Sequence, residues 1–224
     1  MKKAILIGAG PIGDVSFLKK ASDCYMVASD GGYRAYERCG VVPDLFVGDY
    51  DTMKDSKKVH ARQIISLDVV KDDTDTIFAL KHCLESGYDT FYLYGCLGGK
   101  IEHTIANIQT LSFLLDHHAM GYLISEDGGQ VVFMVNQSVT FKPDAKGILS
   151  VFSHTNESKG VSMYNLMYTL EDATLTSSFP LGVSNQFING RQGRITVGDG
   201  RLVVVTDTKN VDEDFPSERD TIRN

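Results

Sequence analysis

Pro43-Asp44-Leu45-Phe46-Val47-Gly48-Asp49-Tyr50-Asp51-Thr52 places two acids at i and i+2 directly after a short apolar strand. In extended chain such residues point the same way, so Asp49 and Asp51 can converge on one ion. Carboxylates that close repel unless a cation neutralises them, and an all-oxygen ligand set points to Mg²⁺. The same residues also read as an Asp-rich turn ahead of a helix. Lys71-Asp72-Asp73-Thr74-Asp75 sits before a helical pattern. Asp75 can cap that helix or reach a metal. Thr74 and the first amides of the helix can hold a phosphate oxygen, and Lys71 supplies a point charge.

Tyr94-Gly95-Cys96-Leu97-Gly98-Gly99-Lys100-Ile101-Glu102-His103 repeats the pattern of strand, glycine loop and helix. Gly98 and Gly99 let backbone approach a phosphate closely, Lys100 adds a cation, and Glu102 places an acid at the helix start. His103 and Asn107 lie one helical turn apart and share a face; His103 alone also reads as a capping or packing histidine. Ser29-Asp30-Gly31-Gly32 is a further polar loop after a strand. Gly8-Ala9-Gly10-Pro11-Ile12-Gly13 matches the spacing of a dinucleotide loop, with Asp30 where a ribose-binding acid belongs. Pro11 and the short stretch before Ser22 make a weak first helix there, so the glycines serve equally well as a tight turn.

These residues must be positioned by alternating strands and helices. Strands are expected over residues 4–8, 25–29, 45–47, 64–67, 90–94 and 121–125, several of them continuous apolar runs typical of a parallel sheet covered on both faces. Residues 76–85 form a helix with Ile77, Leu80 and Leu84 on one stripe. Residues 102–118 form another, with Ile105, Ile108, Leu111 and Leu115. Parallel strands would bring the polar loops to one sheet edge, where ligands of such sheets bind. From about residue 127 the helical signal fades into short strands at 130–135, 139–142, 148–153, 194–197 and 202–206, separated by glycine turns. The expected fold class is α/β: an N-terminal α/β unit with a mostly parallel sheet (1–126) and a C-terminal all-β sandwich (127–224). Residues 207–224 read as a surface tail.

Composition agrees with two packed units. The chain has 224 residues, 42% apolar and 23% charged, enough to bury a core without disulfides or a structural metal. The net charge of −7 argues against a nucleic-acid partner, which needs a basic face, but not against nucleotides carried with a divalent metal. Cys24, Cys39, Cys83 and Cys96 show no C-x-x-C spacing and read as reduced cysteines of a cytoplasmic protein. No run is long enough to cross a bilayer, and Pro11, Gly13 and Asp14 interrupt the apolar start before it can serve as a secretory leader.

Taken together, Asp30-Gly31-Gly32, Gly48-Asp49-Tyr50-Asp51, Lys71-Asp72-Asp73-Thr74-Asp75 and Leu97-Gly98-Gly99-Lys100-Ile101-Glu102-His103 resemble, in order, the motifs of the thiamine pyrophosphokinase family. Leu181-Gly182-Val183-Ser184-Asn185 is similar to that family's G-x-S-N segment, and Tyr168-Thr169-Leu170 to the element before it. The resemblance implies transfer of the pyrophosphoryl group of ATP to thiamine with Mg²⁺, in a homodimer that holds thiamine between the α/β unit of one subunit and the β unit of the other. It implies Asp49, Asp51 and Asp75 as metal and phosphate-site carboxylates, Asp30 in the nucleotide pocket, and Ser184 and Asn185 facing thiamine. Glu102 is then a candidate to accept the hydroxyl proton, with Asp51 as its rival. Lys100 stands where the family usually has Arg, Glu102 where it has Asp, and Gln186 where it often has Glu. The chain has no Trp, so a ring stacked on thiamine must come from Tyr or Phe, with Tyr168 placed to supply it. Two other readings stay open: a pyrophosphokinase for a related alcohol such as a pterin, and a non-catalytic nucleotide- or NAD-binding module using residues 8–13.

Overall fold

The structure of the chain, a computed structural model, describes residues 1–48, 59–67 and 73–216. It divides into two units, Met1–Gly128 together with Phe215 and Pro216, and Gly129–Asp214.

In the first unit the apolar runs become β1 (Lys3–Ile7), β2 (Tyr25–Ser29), β3 (Leu45–Gly48), β4 (Gln63–Ser66), β5 (Thr90–Tyr94) and β6 (Met120–Ile124). They lie in the order β6-β5-β1-β2-β3-β4. Every neighbouring pair is parallel. Successive residues of β1, β3 and β5 are buried alike, as only a sheet covered on both faces requires, which is why these strands lack polar alternation. β4 is the edge and is mostly exposed.

Among the described residues the α-helices of this unit are α1 (Tyr33–Cys39), α2 (Asp75–Glu85) and α3 (Ile101–Asp116). α1 ends on Gly40 in the left-handed region (φ 68°), a standard helix stop. The Thr74 side chain caps α2 by accepting the Ile77 N–H at 3.2 Å. α2 buries Ala79, Leu80 and Cys83, and α3 buries Thr110, Leu111 and Leu114. Both buried stripes are displaced from the expected ones. Ile77 and Leu84 are half-buried, and Ile105 is 54% exposed. The cause in α3 is that its first turns bury almost nothing and packing begins only from the third. There Gly121 of β6 admits the helix closely: an added Cβ would lie 2.5 Å from Leu114 Cδ1.

The second unit is all β. β7 (Gln130–Val135), β9 (Ile148–Ser153), β12 (Gly182–Gln186) and β14 (Leu202–Asp207) pair antiparallel in the order β12-β9-β14-β7. β8 (Val139–Thr140), β10 (Glu157–Tyr164), β11 (Leu170–Thr176) and β13 (Arg194–Thr196) pair antiparallel in the order β11-β10-β13-β8. Their shared core includes Leu149, Val151, Val161, Met163, Ile195 and Val204, each at most 1% exposed. Burying such a side chain contributes roughly 2 kcal/mol.

Sequence patterning missed α1, β10, β11 and β12. It also misread the start of the tail. Residues 208–210 form a 3₁₀ turn that buries Thr208 and Asn210. Phe215 packs edge-on against the Tyr92 and Tyr122 rings, with centroids at 5.9 and 5.2 Å. Tyr94 Oη donates to the Pro216 carbonyl. A few apolar residues in an acidic stretch suffice when each meets an aromatic pocket.

Candidate functional site

The carboxyl ends of the parallel strands form one rim. β1 sends its connection to β2 on one side, and β5 sends its connection to β6 on the other. The crevice between β1 and β5 is therefore the switch point where ligands of such sheets bind. Two glycine turns meet there. Gly8 N–H donates to Tyr94 O and Gly10 N–H to Gly95 O, both at 2.8 Å. The approach leaves no room for side chains: an added Cβ on Gly10 would lie 2.6 Å from Gly95 O, and one on Gly95 (φ 61°) 2.6 Å from Gly8 O. Arg38 holds the far end of the first turn, donating to Ile12 O (3.2 Å) and Gly13 O (2.6 Å).

Residues 8–13 are thus a turn fastened to its neighbour. Only a four-residue 3₁₀ turn, Ser16–Lys19, follows them. A dinucleotide loop needs a helix N-terminus behind it to receive the pyrophosphate, and here there is none.

At the next strand end, Asp30 stands in the left-handed region (φ 47°), a conformation Asp tolerates better than most residues. Gly31 is half-buried beside it, and a Cβ on Gly32 would meet Ile7 O at 1.9 Å. A Cβ on Gly48, the last residue of β3, would lie 3.1 Å from Asp30 Cα. The ends of β2 and β3 are therefore in contact, with Asp30 at their junction. Asp49, Asp51 and Lys71 lie outside the described residues. Thr74 is committed as the α2 cap, and Asp75 occupies the first turn, where a negative charge is favoured. Among the described residues no three His, Cys, Asp or Glu side chains form a metal-binding group.

After β5 the chain turns through Gly98 (φ 74°) and Gly99 (φ 68°) into α3. Lys100 is the N-cap residue, and its side chain makes no cap hydrogen bond. Lys100, Glu102 and His103 are all exposed. Two residues that sequence reasoning did not assign to this loop fasten it. Asn107 Nδ2 donates to Cys96 O (2.7 Å), and Thr104 Oγ1 donates to Gly98 O (3.2 Å). They stand three and six residues after Ile101, the first residue of the helix, and that spacing is the signal that marks them. Cys96, between the glycines, is 3% exposed, and burial pushes its thiol up to about 12, against the pull of the Gly8 backbone amide, which disfavours the thiolate.

In the second unit, Ser184 is exposed, left-handed (φ 57°), and its N–H donates to Ser150 Oγ at 3.0 Å. Asn185 is 3% exposed and turned inward, with its amide on the backbone of Tyr168. Tyr168 itself is 68% exposed. The structure thus brings Gly98 and Gly99 to the β1–β5 crevice, Asp30 and Gly31 to the neighbouring β2 end of the same rim, and Thr74, Asp75, Lys100, Glu102 and His103 to the helix starts of that rim. Ser184 and Asn185 belong to the second unit.

A doubly wound parallel unit with glycine turns and a helix start at its switch point, followed by an all-β unit, defines the class: an α/β protein with a separate antiparallel unit. The sequence family described as the thiamin pyrophosphokinase catalytic domain matches residues 17–144, and the thiamin pyrophosphokinase vitamin B1 binding domain matches residues 136–202. The thiamine pyrophosphokinase of Bacillus subtilis (strain 168) is 23% identical over 214 residues, 93% of this chain and 100% of that one. The crystal structure of the Bacillus subtilis enzyme is similar in fold, with a TM-score of 0.77 at 22% identity over 92% of this chain and 99% of that one. Yeast thiamin pyrophosphokinase has a TM-score of 0.74 at 15% identity, covering 93% and 87%. The chain belongs to the thiamin pyrophosphokinase family.

Proposed function

We propose that this chain transfers the pyrophosphoryl group of ATP to the hydroxyethyl oxygen of thiamine, giving thiamine diphosphate and AMP. The observation that carries this reading is the start of α3: two left-handed glycines and a lysine at the N-cap whose side chain makes no cap hydrogen bond, at the switch point of a parallel sheet. Such a start holds anionic oxygens. The match of residues 136–202 to a vitamin B1 binding domain favours thiamine over a pterin as the acceptor.

In this reading the thiamine oxygen attacks the β-phosphorus in line, the bond from that phosphorus to the bridging α–β oxygen breaks, and AMP leaves. Lys100, Lys71 and the α3 amides bind the phosphate oxygens and hold them in place. Glu102 takes the hydroxyl proton, with Asp51 as the other carboxylate able to do so. Asp30 and Gly31 line the nucleotide side, Thr74 and His103 flank the phosphates, and Tyr168 offers its ring to thiamine beside Ser184. Oxygen donors suit Mg²⁺, and Asp49, Asp51 and Asp75 would hold it; when bound it neutralises phosphate charge. The active form is a homodimer in the cytoplasm, with thiamine held where the rim of one subunit meets the β unit of the other. Exposed apolar side chains on each unit (Ile101 and Ile105; Met167 and Tyr168) support that assembly, and four free cysteines suit that compartment.

Product analysis tests the reaction. Full chain incubated with ATP, Mg²⁺ and thiamine should form thiamine diphosphate and AMP in equal amounts. Formation of ADP, or AMP release that does not depend on thiamine, would overturn it. Asp49→Asn should lower kcat roughly a thousandfold with an unchanged melting temperature. Near-normal turnover by that variant would remove Asp49 from the metal set.

A further inference from the structure

Asn185 is buried at 3% exposure inside the second unit. Its amide has two acceptor positions on oxygen and two donor hydrogens on nitrogen. All four are used. Oδ1 accepts from Tyr168 N–H at 3.0 Å and from Gln186 N–H at 2.8 Å. Nδ2 donates to Tyr168 O at 2.7 Å and to Met163 Sδ at 3.6 Å. A side chain so committed has no hydrogen-bonding capacity left for a ligand. What it does instead is grip both backbone polar groups of one residue.

That residue is an exposed aromatic on an otherwise thinly held segment. Met167 N–H donates to Gln186 O at 2.9 Å, and Leu166 bridges Phe187, so backbone pairing fastens residues 166 and 167. Ser184 then enters the left-handed region, and regular pairing of β12 with β9 shifts register between Gly182 and Asn185. The Asn185 amide supplies one more rung at Tyr168. The Tyr168 ring meanwhile stays 68% exposed, beside Met167 at 57% and Val183 at 44%.

We infer that Asn185 is a positioning residue for thiamine: it never touches the vitamin, but fixes the backbone from which the Tyr168 ring meets it. The inference rests on the reading of residues 136–202 as the thiamine-binding part of the enzyme. It replaces a direct role for Asn185, which the resemblance implies, by an indirect one.

A double-mutant cycle on the full chain separates these roles. Asn185→Ala should raise the KM for thiamine about tenfold with kcat and the KM for ATP within about twofold. Tyr168→Ala should do the same, and the double variant should be no worse than Tyr168→Ala alone. Additive effects would mean that Asn185 contacts thiamine directly and would overturn the inference, as would an unchanged thiamine KM in Asn185→Ala. If Asn185→Ala fails to fold, Asn185→Asp, which keeps the acceptances from Tyr168 and Gln186 N–H but sets a carboxylate oxygen against Tyr168 O in place of the donation, should move the KM in the same direction. The chain has no Trp, so Tyr168→Trp introduces a single indole whose fluorescence anisotropy reports order at that position. Adding Asn185→Ala or Asn185→Asp to this background should lower the anisotropy, and an unchanged value overturns the positioning role. Failure of the thiamine reading shows elsewhere, as an unchanged thiamine KM in Tyr168→Ala.

Discussion

The crevice between β1 and β5 and the outer strand of the second unit solve the same problem with opposite means. The crevice is shaped by side chains that are missing: Gly8, Gly10 and Gly95 bring two turns within hydrogen-bonding distance because no Cβ intervenes. The segment around β12 is shaped by side chains that are present, with Asn185 standing in for backbone and Ser150 accepting from the Ser184 N–H. A site built from bare backbone fails when an atom is added. A site built from amide side chains fails when atoms are removed.

That contrast orders three expectations. The largest effect should come from Gly95→Ala, which combines a left-handed φ of 61° with a Cβ 2.6 Å from Gly8 O. Stability should fall by about 3 kcal/mol in urea unfolding. A loss below about 1 kcal/mol would show that the two turns can part freely, and would break the contrast. Next is Asn210→Ala in the second unit. Asn210 is 1% exposed and holds Lys146 N–H (3.1 Å), Lys146 O (2.9 Å) and Thr206 Oγ1 (3.0 Å). Removing it should cost about 2 kcal/mol, because the Lys146 backbone is left unpaired. The smallest is Thr74→Ala at the rim. There a side chain does cap a helix, and the loss should be about 1 kcal/mol, with Thr74→Ser recovering most of it by the same unfolding measurement.

The same contrast explains what could be read from the sequence. The parallel strands at 25–29 and 90–94 fall where the apolar runs put them, because burial on both faces writes a continuous apolar run. Gly98 and Gly99 were visible as loop formers because a left-handed backbone demands glycine. β10 and β11 were not visible. Their pairing shifts register twice, and the left-handed Gly160 in β10 and Asp172 in β11 interrupt any alternation. α1 escaped notice because it has seven residues and no side-chain N-cap. Nor could sequence say that Asn185 faces inward, that Asn107 reaches Cys96 O, or that Arg38 secures residues 12 and 13, since an amide or guanidinium finds its partner only in the folded chain.

The fastening of residues 8–10 to residues 94 and 95 also bears on energetics during catalysis. A glycine loop that is free in the resting protein loses conformational entropy each time an anion orders it, and affinity suffers accordingly. Here that loss falls on folding, because Gly8 and Gly10 are already tied to Tyr94 O and Gly95 O. On the proposed reading, an incoming nucleotide would meet a crevice wall whose residues 8–10 are already fastened before it arrives.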